Sequence, residues 1–378
     1  MDFIPYAKQS ITDEDSKAVL KSLQNSLITR GSLVDEFERK CASFCDARYA
    51  VAFSSGTSAL TAASFAANIN KEDTLVSTPN TFVGTLAGAL QRTSKLHLLD
   101  IDLTTGSPDF KKLPSITQGR LIIFQVHYAG IALKLSKQPP STVVIEDACQ
   151  AFGSTYIDGD KVGSCRNSDM TVFSFHPAKT ICMGEGGLVT TQSKEYYEQL
   201  LLYRNNGIIK KETFDPWVYE VHALTSNSNV TTFSAALGLS QLQRVNQMIK
   251  KRRDIVARYR KNLKDIKGIE FLTDIYDTTS AHNLLPTLID FEKLQISRKD
   301  LMLKLNEKLI GTQVHYIPIY RHPYFQKNYA FKKSDFPMME AFYKKELSLP
   351  LYPNLELEKV DYITDVLKEL FSLELIAR

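Results

Sequence analysis

Small hydroxyl residues stand between a strand-like and a helix-like stretch near residue 55. Residues 54–60 read Ser-Ser-Gly-Thr-Ser-Ala-Leu and follow an apolar run over 49–53. The free N–H groups of a helix start bind anions such as phosphate, and the hydroxyls of Thr57 and Ser58 would add donors. The same residues would serve equally well as a helix N-cap, so this segment alone allows both interpretations.

An acidic residue ends a second apolar run. Residues 143–150 read Val-Val-Ile-Glu-Asp-Ala-Cys-Gln, which is typical of a buried strand with Asp147 at its carboxyl end. Ligands of open α/β sheets bind at the carboxyl ends of the strands. Asp147 could therefore hold a proton on a ligand nitrogen. Taken by itself, a helix-capping role explains this aspartate equally well.

A lysine follows a third apolar run in a tight connection. Residues 173–179 read Phe-Ser-Phe-His-Pro-Ala-Lys, and a Gly-Glu-Gly-Gly turn at 184–187 leads into another strand-like run. Such a connection would fix the amine of Lys179 over the carboxyl edge of the sheet, where desolvation lowers a lysine pKa toward nucleophilic use. The competing interpretation is a solvated surface lysine. The glycine turn lacks the Gly-Lys-Ser/Thr ending of a phosphate loop.

Together these segments supply a phosphate-binding helix start, an acid and a lysine, in that chain order. A pyridoxal phosphate site requires this set, because the lysine forms a Schiff base and the acid keeps the pyridine nitrogen protonated, while an aromatic face holds the ring. The sequence therefore predicts pyridoxal phosphate as the cofactor. No spacing of His, Asp and Glu resembles a metal site, and no metal is expected.

The elements that must position these side chains follow a repeating order. Seven short apolar runs, mostly separated by helix-like stretches, are typical of a largely parallel α/β sheet covered by helices on both faces. The runs cover 49–53, 74–77, 96–101, 121–126, 143–146, 171–175 and 188–191. A long helical pattern from Phe233 past Val256 marks the predicted boundary. We expect a large domain over 1–245, including an N-terminal arm, and a small α+β domain over 246–378.

The composition is that of an ordinary folded protein. Of the 378 residues 43% are hydrophobic and 23% charged, close to the globular average. The net charge of +4 is too small to mark a nucleic-acid-binding surface. Five cysteines without paired spacing favour neither disulfides nor structural zinc. Without a signal peptide or a membrane-spanning run, we expect a cytoplasmic protein with no nucleic-acid or membrane partner.

The motifs resemble those of the DegT-type sugar-nucleotide aminotransferases, which belong to the aspartate aminotransferase (fold type I) class of pyridoxal phosphate enzymes. The resemblance runs nearly from end to end of the chain. The segments that carry it are 27–31, 55–60, 78–83, 126–130, 145–148, 173–179, 184–187 and 235–242. It implies the fold-type I architecture, a pyridoxal phosphate cofactor and transaminase activity.

The resemblance also implies a role for individual residues. Lys179 would form the Schiff base and move a proton, and Asp147 would bind the pyridine nitrogen. Gln150 would contact the ring hydroxyl, and Phe82 would stack on the ring. The residues implied to hold the phosphate are Gly56, Thr57, Ser58 and Ser174. In such enzymes the site lies at a dimer interface, so the resemblance implies a homodimer in which Asn227 of the partner subunit reaches the phosphate.

Residues 4–6, 313–320 and 346–350 most resemble the branch of this family that acts in pseudaminic acid biosynthesis. That branch converts a UDP-linked 4-keto-6-deoxy-N-acetylhexose into the 4-amino sugar, with L-glutamate as the donor. The sugar-nucleotide pocket would then contain Tyr6, Thr29, Gly31, His315, Tyr316 and Tyr320. Without the resemblance, the tyrosines of this region are equally compatible with packing.

Two alternatives to this substrate assignment remain open. One is a different keto sugar, such as a UDP-linked 4-keto pentose or a dTDP-linked keto sugar. The other is a non-catalytic sensor that binds a sugar nucleotide. Residues 224–232 motivate the second alternative, because Asn229 stands where the family has an arginine.

Overall fold

The structure is a computed structural model that describes residues 2–24, 27–135, 139, 141–211, 213 and 215–376. Its largest element is a seven-stranded sheet with the spatial order β1-β7-β6-β5-β4-β2-β3. The strands are β1 (Tyr49–Phe53), β2 (Thr74–Ser77), β3 (Leu96–Leu98), β4 (Leu121–Val126), β5 (Val143–Asp147), β6 (Met170–Ser174) and β7 (Gly187–Thr191). Strand β7 runs antiparallel to both neighbours, and the other pairings are parallel. The predicted, mostly parallel sheet is thus confirmed.

Helices cover both faces of this sheet, which explains why its central strands are apolar along their whole length. The helices are α1 (Asp13–Ser22), α2 (Ser32–Cys45), α3 (Gly56–Ala66), α4 (Gly84–Ala87), α5 (Lys194–Arg204), α6 (Thr232–Leu242) and α7 (Val245–Leu263). In β1, Val51 and Phe53 pack in the same core as α3, whereas Ala50 and Ala52 pack in the core that contains α2. This alternation follows from the two-residue period of a strand.

The long helix predicted from Phe233 onward is in fact two helices. Helix α6 ends at Leu242 and α7 begins at Val245. At the break, Arg244 turns its guanidinium toward the N-terminal segment, where it donates to the Ser10 carbonyl and to the carboxylate of Asp15. A continuous helical pattern in the sequence does not reveal this interruption, because the partner groups lie more than 200 residues away in the chain.

A second, three-stranded sheet lies in the C-terminal part of the chain, in the antiparallel order β10-β11-β12. The remaining elements are the hairpin β8 (Ile208–Ile209) and β9 (Glu220–Val221), then β10 (Ile269–Phe271), β11 (Leu285–Ile289), α8 (Arg298–Glu307), α9 (Pro323–Asn328), α10 (Pro337–Lys345), β12 (Glu346–Leu349) and α11 (Leu357–Ile376). Among the described residues, no helix combines the length and the hydrophobicity needed to span a membrane.

Two chain segments cross between the cores of the two sheets. Near the N-terminus, Ile4 is buried in the core of the three-stranded sheet and pairs with Ile310. From the C-terminal part of the chain, Ile319 and Phe342 pack in the core of the large sheet. The predicted division at residue 245 stays a prediction, but these crossings bring the segments around residues 6 and 315 to the large sheet.

Candidate functional site

The three segments singled out in the sequence meet at one edge of the large sheet. Asp147 is the last residue of β5 and Ser174 the last residue of β6, and these two strands are parallel neighbours. Lys179 lies in the connection from β6 to β7. The start of α3 packs against Ser174, since a Cβ added to Gly56 would lie 2.8 Å from the Ser174 Cβ.

The carboxylate of Asp147 is buried and held in one orientation. Its Oδ2 accepts a hydrogen bond of 2.5 Å from the hydroxyl of Thr85. That hydroxyl lies 2.6 Å from the hydroxyl of Thr81. The Oδ1 atom accepts from the backbone N–H of Cys149 at 3.1 Å. A carboxylate fixed in this way can bind a protonated ring nitrogen without further rearrangement.

The amine of Lys179 is half-buried at the same edge. Burial lowers the pKa of Lys179, and the negative charge of Asp147 acts against that shift. A lowered pKa increases the fraction of neutral amine at physiological pH, and the neutral form is the nucleophile and the base. Nearby, burial raises the pKa of the Cys149 thiol, which therefore stays protonated.

The start of α3 has the features of a phosphate-binding site. The N-cap Ser55 accepts from the Ser58 N–H at 3.1 Å. In contrast, the buried Oγ of Ser58 has no hydrogen-bond partner within the described part of the chain. Gly56 leaves open the space that a Cβ would fill against Ser174. An unpaired hydroxyl at the positive end of an 11-residue helix fits the phosphate of pyridoxal phosphate.

An aromatic and an amide side chain complete the cofactor side of the site. The ring of Phe82 is 58% exposed, and its face is free for stacking on a planar ligand. Its centroid lies 6.4 Å from that of Tyr316. Gln150 accepts from the Ala129 N–H at 2.7 Å and donates to the Tyr316 hydroxyl at 2.6 Å. The second N–H of its amide remains for a ligand hydroxyl.

Three residues predicted for the sugar pocket come together beside these groups. The ring of His315 lies 5.5 Å from that of Tyr6 and 5.0 Å from that of Tyr316. Burial lowers the pKa of His315 to about 3, and the nearby charge of Lys179 acts in the same direction. The imidazole is therefore neutral at physiological pH.

Other predicted residues make their contacts elsewhere in the single chain. The hydroxyl of Tyr320 donates to Glu340 at 2.7 Å, and its ring stacks on Phe336. Thr29 pairs with Thr231, directly before α6. The backbone of Gly31 also lies against the start of α6, because an added Cβ would meet the Thr232 hydroxyl at 2.8 Å.

Asn227 is exposed, and its side-chain oxygen accepts from Asn229 Nδ2 at 2.7 Å. The backbone carbonyl of the next residue, Ser228, accepts from the Ser54 N–H at 3.0 Å. Asn229, which stands where the family has arginine, also donates to the Arg204 carbonyl at 3.3 Å. These hydrogen bonds hold the segment around Asn227 in place without an arginine side chain at position 229.

Sequence reasoning missed several residues that the fold brings to the site. Thr85 orients Asp147, and the Tyr128 hydroxyl donates to the His315 carbonyl at 2.5 Å. Glu346 and Ser348 hydrogen-bond with His315. Tyr128, Glu346 and Ser348 lie within the segments that carry the family resemblance, so their place in the sequence could have indicated them. Nothing in the sequence pattern pointed to Thr85.

Comparison with known proteins decides which class of enzyme this site belongs to. A sequence model of the DegT/DnrJ/EryC1/StrS aminotransferase family matches residues 9–368. The chain belongs to this family. It is therefore a sugar aminotransferase that uses pyridoxal phosphate, as predicted, and the alternative of a non-catalytic sensor loses its support.

This aminotransferase has relatives that align over almost its whole length. It is 32% identical over 380 residues to a Campylobacter jejuni enzyme named UDP-4-amino-4,6-dideoxy-N-acetyl-beta-L-altrosamine transaminase, with 96% of each chain covered. Its structure is similar to Helicobacter pylori PseC, an aminotransferase involved in the biosynthesis of pseudoaminic acid, with a TM-score of 0.86 and 29% identity over 98% of this chain and 100% of that one. Streptococcus pneumoniae Spr1654 in its PLP-form has a TM-score of 0.87 at 24% identity, over 98% of this chain and 99% of that one. The predicted fold-type I architecture is confirmed.

The geometry assigns the chemistry of this aminotransferase to a few groups of its own chain. Bound pyridoxal phosphate supplies an electron-withdrawing ring that stabilises negative charge on a carbon losing a proton. Asp147 would hold a proton on the ring nitrogen, and the start of α3 would hold the phosphate. The Nζ atom of Lys179 would take and return the proton that moves during amino transfer.

Proposed function

We propose that this aminotransferase moves the amino group of L-glutamate to the C4 ketone of a UDP-linked 4-keto-6-deoxy-N-acetylhexose. The observation that carries the proposal is the cluster of Tyr6, His315 and Tyr316 beside Lys179. These residues belong to the segments by which the chain resembles the pseudaminic acid branch. The name of the Campylobacter relative supports the same substrate class.

The proposed pocket has the polarity that a deoxy sugar requires. Its walls are aromatic, and aromatic rings pack well against the apolar face of a sugar. The neutral imidazole of His315 and the hydroxyls of Tyr6 and Tyr316 offer hydrogen bonds without placing a net charge next to the ketone. These three side chains carry no positive charge to pair with an acidic sugar, whose carboxylate would lose its hydration there, and they therefore favour the neutral sugar ring.

The first test is amino transfer by the purified protein with pyridoxal phosphate and L-glutamate. We expect turnover of the UDP-linked 4-keto-6-deoxy-N-acetylhexose to exceed that of a UDP-linked 4-keto pentose and of a dTDP-linked keto sugar. A preference for either of the other sugars would instead support the alternative substrates. Product formation is followed by chromatography of the nucleotide sugars.

Substitution of the lysine tests the assignment of Lys179. Lys179→Ala should lower turnover by at least roughly 10³-fold, because both nucleophile and proton carrier are removed. The matched control is Lys161→Ala, an exposed lysine paired with Asp46, which should retain activity. Absorption spectra with added cofactor, before and after L-glutamate, should show bleaching in the control and not in Lys179→Ala. Unchanged turnover in Lys179→Ala would refute the assignment.

We also propose a homodimer with shared active sites. Large apolar side chains are exposed on the segments around Asn227 and before α2: Leu27 by 58%, Ile28 by 53%, Trp217 by 75% and Leu224 by 96%. Such a surface is typical of an interface. Among the described residues, the side chain of Asn227 hydrogen-bonds with Asn229, and the family resemblance assigns this asparagine to the phosphate of the partner subunit.

Mixed dimers test this arrangement. When Lys179→Ala and Asn227→Ala subunits are refolded together in equal amounts, about half of the dimers should be mixed, and each mixed dimer contains one complete site. The mixture should therefore contain about a quarter of the number of complete sites in the wild-type protein. The measurements are light scattering for mass and turnover at limiting pyridoxal phosphate. A monomeric mass, or a mixture no more active than its components, would contradict the proposal.

A further inference from the structure

A chain of buried hydrogen bonds leads from His315 away from the cofactor side. The backbone at Gln313 pairs with Ser348 of β12, which places His315 opposite Glu346. Residues 346 and 348 point to the same face of their strand. The Nδ1 atom of His315 lies 2.8 Å from Ser348 Oγ, and that hydroxyl lies 2.6 Å from Glu346 Oε1. The other carboxyl oxygen of Glu346 accepts from the His315 N–H at 2.9 Å.

The carboxyl group of Glu346 has no charged partner in the described part of the chain. It is fully buried, and Ser348 is 1% exposed. The nearest guanidinium, Arg298, donates to the backbone carbonyl of Glu346 rather than to its carboxyl group. Burial raises the pKa of Glu346 to about 8. The titratable and charged groups that face Glu346 and His315 are Arg298, Tyr128, Tyr316, Tyr6 and Lys179.

The protonation of Glu346 decides which nitrogen of His315 carries the proton. When Glu346 is protonated, it donates to Ser348 Oγ, the hydroxyl donates to Nδ1, and the imidazole proton is left on Nε2. When Glu346 is ionised, both bonds reverse and the proton resides on Nδ1. The Nε2 atom forms no hydrogen bond with the described residues, so it is available to a ligand.

We propose that Glu346, Ser348 and His315 form a proton relay through which Nε2 of His315 protonates the ketone oxygen of the sugar substrate. This inference rests on the proposed function, because it takes the sugar to bind beside His315. His315 is the catalytic residue of the relay. Glu346 and Ser348 are positioning residues that act through it.

The proton transfers of this relay balance. Formation of a C=N bond from an amine and a ketone releases water, so the oxygen gains two protons and the nitrogen loses two. The Nε2 proton passes to the oxygen, the Ser348 hydroxyl proton passes to Nδ1, and the Glu346 proton passes to Ser348. The relay is left with a carboxylate and a neutral imidazole. A proton released by the nitrogen returns through Nε2 and restores the starting state. A second cycle delivers the second proton to the oxygen and takes up the second proton from the nitrogen, so that water leaves as the C=N bond forms.

The tautomer of His315 can be measured directly by NMR of the full-length protein labelled with ¹⁵N-histidine, with the His315→Gln variant to assign the signal. We expect the proton on Nε2 at pH 6 and its movement to Nδ1 as the pH rises through about 8. In Glu346→Gln, the amide can still donate to Ser348, so the proton should stay on Nε2 across the whole range. A tautomer of wild-type protein that does not change with pH would overturn the relay.

Kinetics provide the second measurement. Glu346→Gln and Ser348→Ala should each lower kcat for the keto sugar by roughly 10²-fold, the usual value of general acid catalysis, with little change in KM. Ser348→Thr keeps the hydroxyl, so the tautomer of His315 should change with pH in this variant as it does in the wild-type protein. The matched control is Thr287→Val, which removes a buried hydroxyl from the same sheet. An unchanged kcat in both Glu346→Gln and Ser348→Ala would overturn the proposal.

The two proposals fail in different ways. If the sugar specificity is wrong, the tautomer change in the free protein persists, and the reaction of the enzyme with L-glutamate is unaffected in Ser348→Ala. If the relay is wrong, amino transfer to the proposed sugar continues in the variants while His315 keeps one tautomer. Should Glu346→Gln not fold, Ser348→Ala carries both measurements.

Discussion

Asp147 receives its orientation from a residue that lies 62 positions earlier in the chain. The hydroxyl of Thr85 is buried between Asp147 and Thr81, and it donates to the carboxylate. A hydrogen bond to a charged group contributes more than one between neutral groups. We therefore regard Thr85 as the residue that holds Asp147 ready for a protonated ring nitrogen.

Removal of that hydroxyl should affect catalysis more than folding. Thr85→Val keeps the shape of the side chain but leaves Oδ2 of Asp147 without its donor, and we expect kcat to fall about tenfold with a stability loss of about 1–2 kcal/mol. Steady-state kinetics and urea unfolding measure the two effects. Thr81→Val, which does not contact Asp147, should have a smaller effect on kcat. Equal effects of the two variants would refute a special role for Thr85.

The buried carboxyl of Glu346 should make the stability of the protein depend on pH. The folded protein retains this proton up to about pH 8, whereas the ordinary pKa is 4.5. The stabilising contribution is therefore complete below pH 4.5 and is lost as the pH rises through about 8.

Replacement with glutamine should remove that dependence. Relative to wild type, Glu346→Gln should gain about 4 kcal/mol in the free energy of unfolding between pH 5 and pH 9, as measured by urea unfolding at each pH. If the free energies of unfolding of the two proteins differed by the same amount at every pH in this range, Glu346 would not titrate there. Thr287→Val, which removes a buried hydroxyl from the same sheet and keeps Glu346 and Ser348, is the matched control for the pH dependence.

At the scale of elements, the predicted phosphate site depends on how closely α3 approaches β6. This close approach is possible because residue 56 has no Cβ, since an added one would lie 2.8 Å from the Ser174 Cβ. Two carbon atoms at that distance repel strongly. The helix start and the end of the strand therefore have to be considered as one unit.

Gly56→Ala tests this packing. Alanine favours a helix more than glycine does, yet we expect a loss of about 1–3 kcal/mol in the free energy of unfolding, because the start of α3 is pushed away from β6. Pyridoxal phosphate should also bind at least tenfold more weakly. The double variant Gly56→Ala/Ser174→Gly removes the opposing Cβ and should recover stability. Gly56→Ala with wild-type stability and affinity would contradict this account.

The strands of the large sheet were predicted more accurately than the connections. Continuous apolar runs mark buried parallel strands, so β1, β2 and β4 have the predicted bounds. Between β2 and β3, where the repeating order predicts a helix-like stretch, the structure contains only the short helix α4. There, Thr81 and Thr85 direct their hydroxyls to each other and to Asp147, and these contacts are not visible as a periodic pattern.

At the scale of the whole molecule, Arg252 connects distant parts of the chain. This arginine of α7 is 1% exposed. It donates to the backbone carbonyls of Leu351 at 3.1 Å and His282 at 3.3 Å, and it reaches the carbonyl of Lys179 at 3.5 Å. Burial lowers the pKa of Arg252 to about 10, which still leaves it charged at neutral pH.

Loss of this guanidinium should weaken the whole structure. Arg252→Met would leave several buried carbonyl groups without a donor, and we expect a loss of about 3 kcal/mol in the free energy of unfolding. The matched control on the same helix is Lys250→Ala, an exposed lysine paired with Asp254, which should change stability by less than about 0.5 kcal/mol. Urea unfolding measures both. A loss in Arg252→Met no larger than in the control would contradict the connecting role.

The sequence by itself determined the mostly parallel sheet and the cofactor class, and it predicted the cofactor-binding segments. It could do so because strand ends, helix starts and the lysine connection are local features, and parallel strands bring their carboxyl ends to one edge. The tertiary structure alone decided that Thr85 orients Asp147 and that Glu346 and Ser348 reach His315. It also decided that the hydroxyl of Tyr320 donates to Glu340. These contacts join residues far apart in sequence, and side-chain burial, which sets their pKa values, exists only in the folded chain.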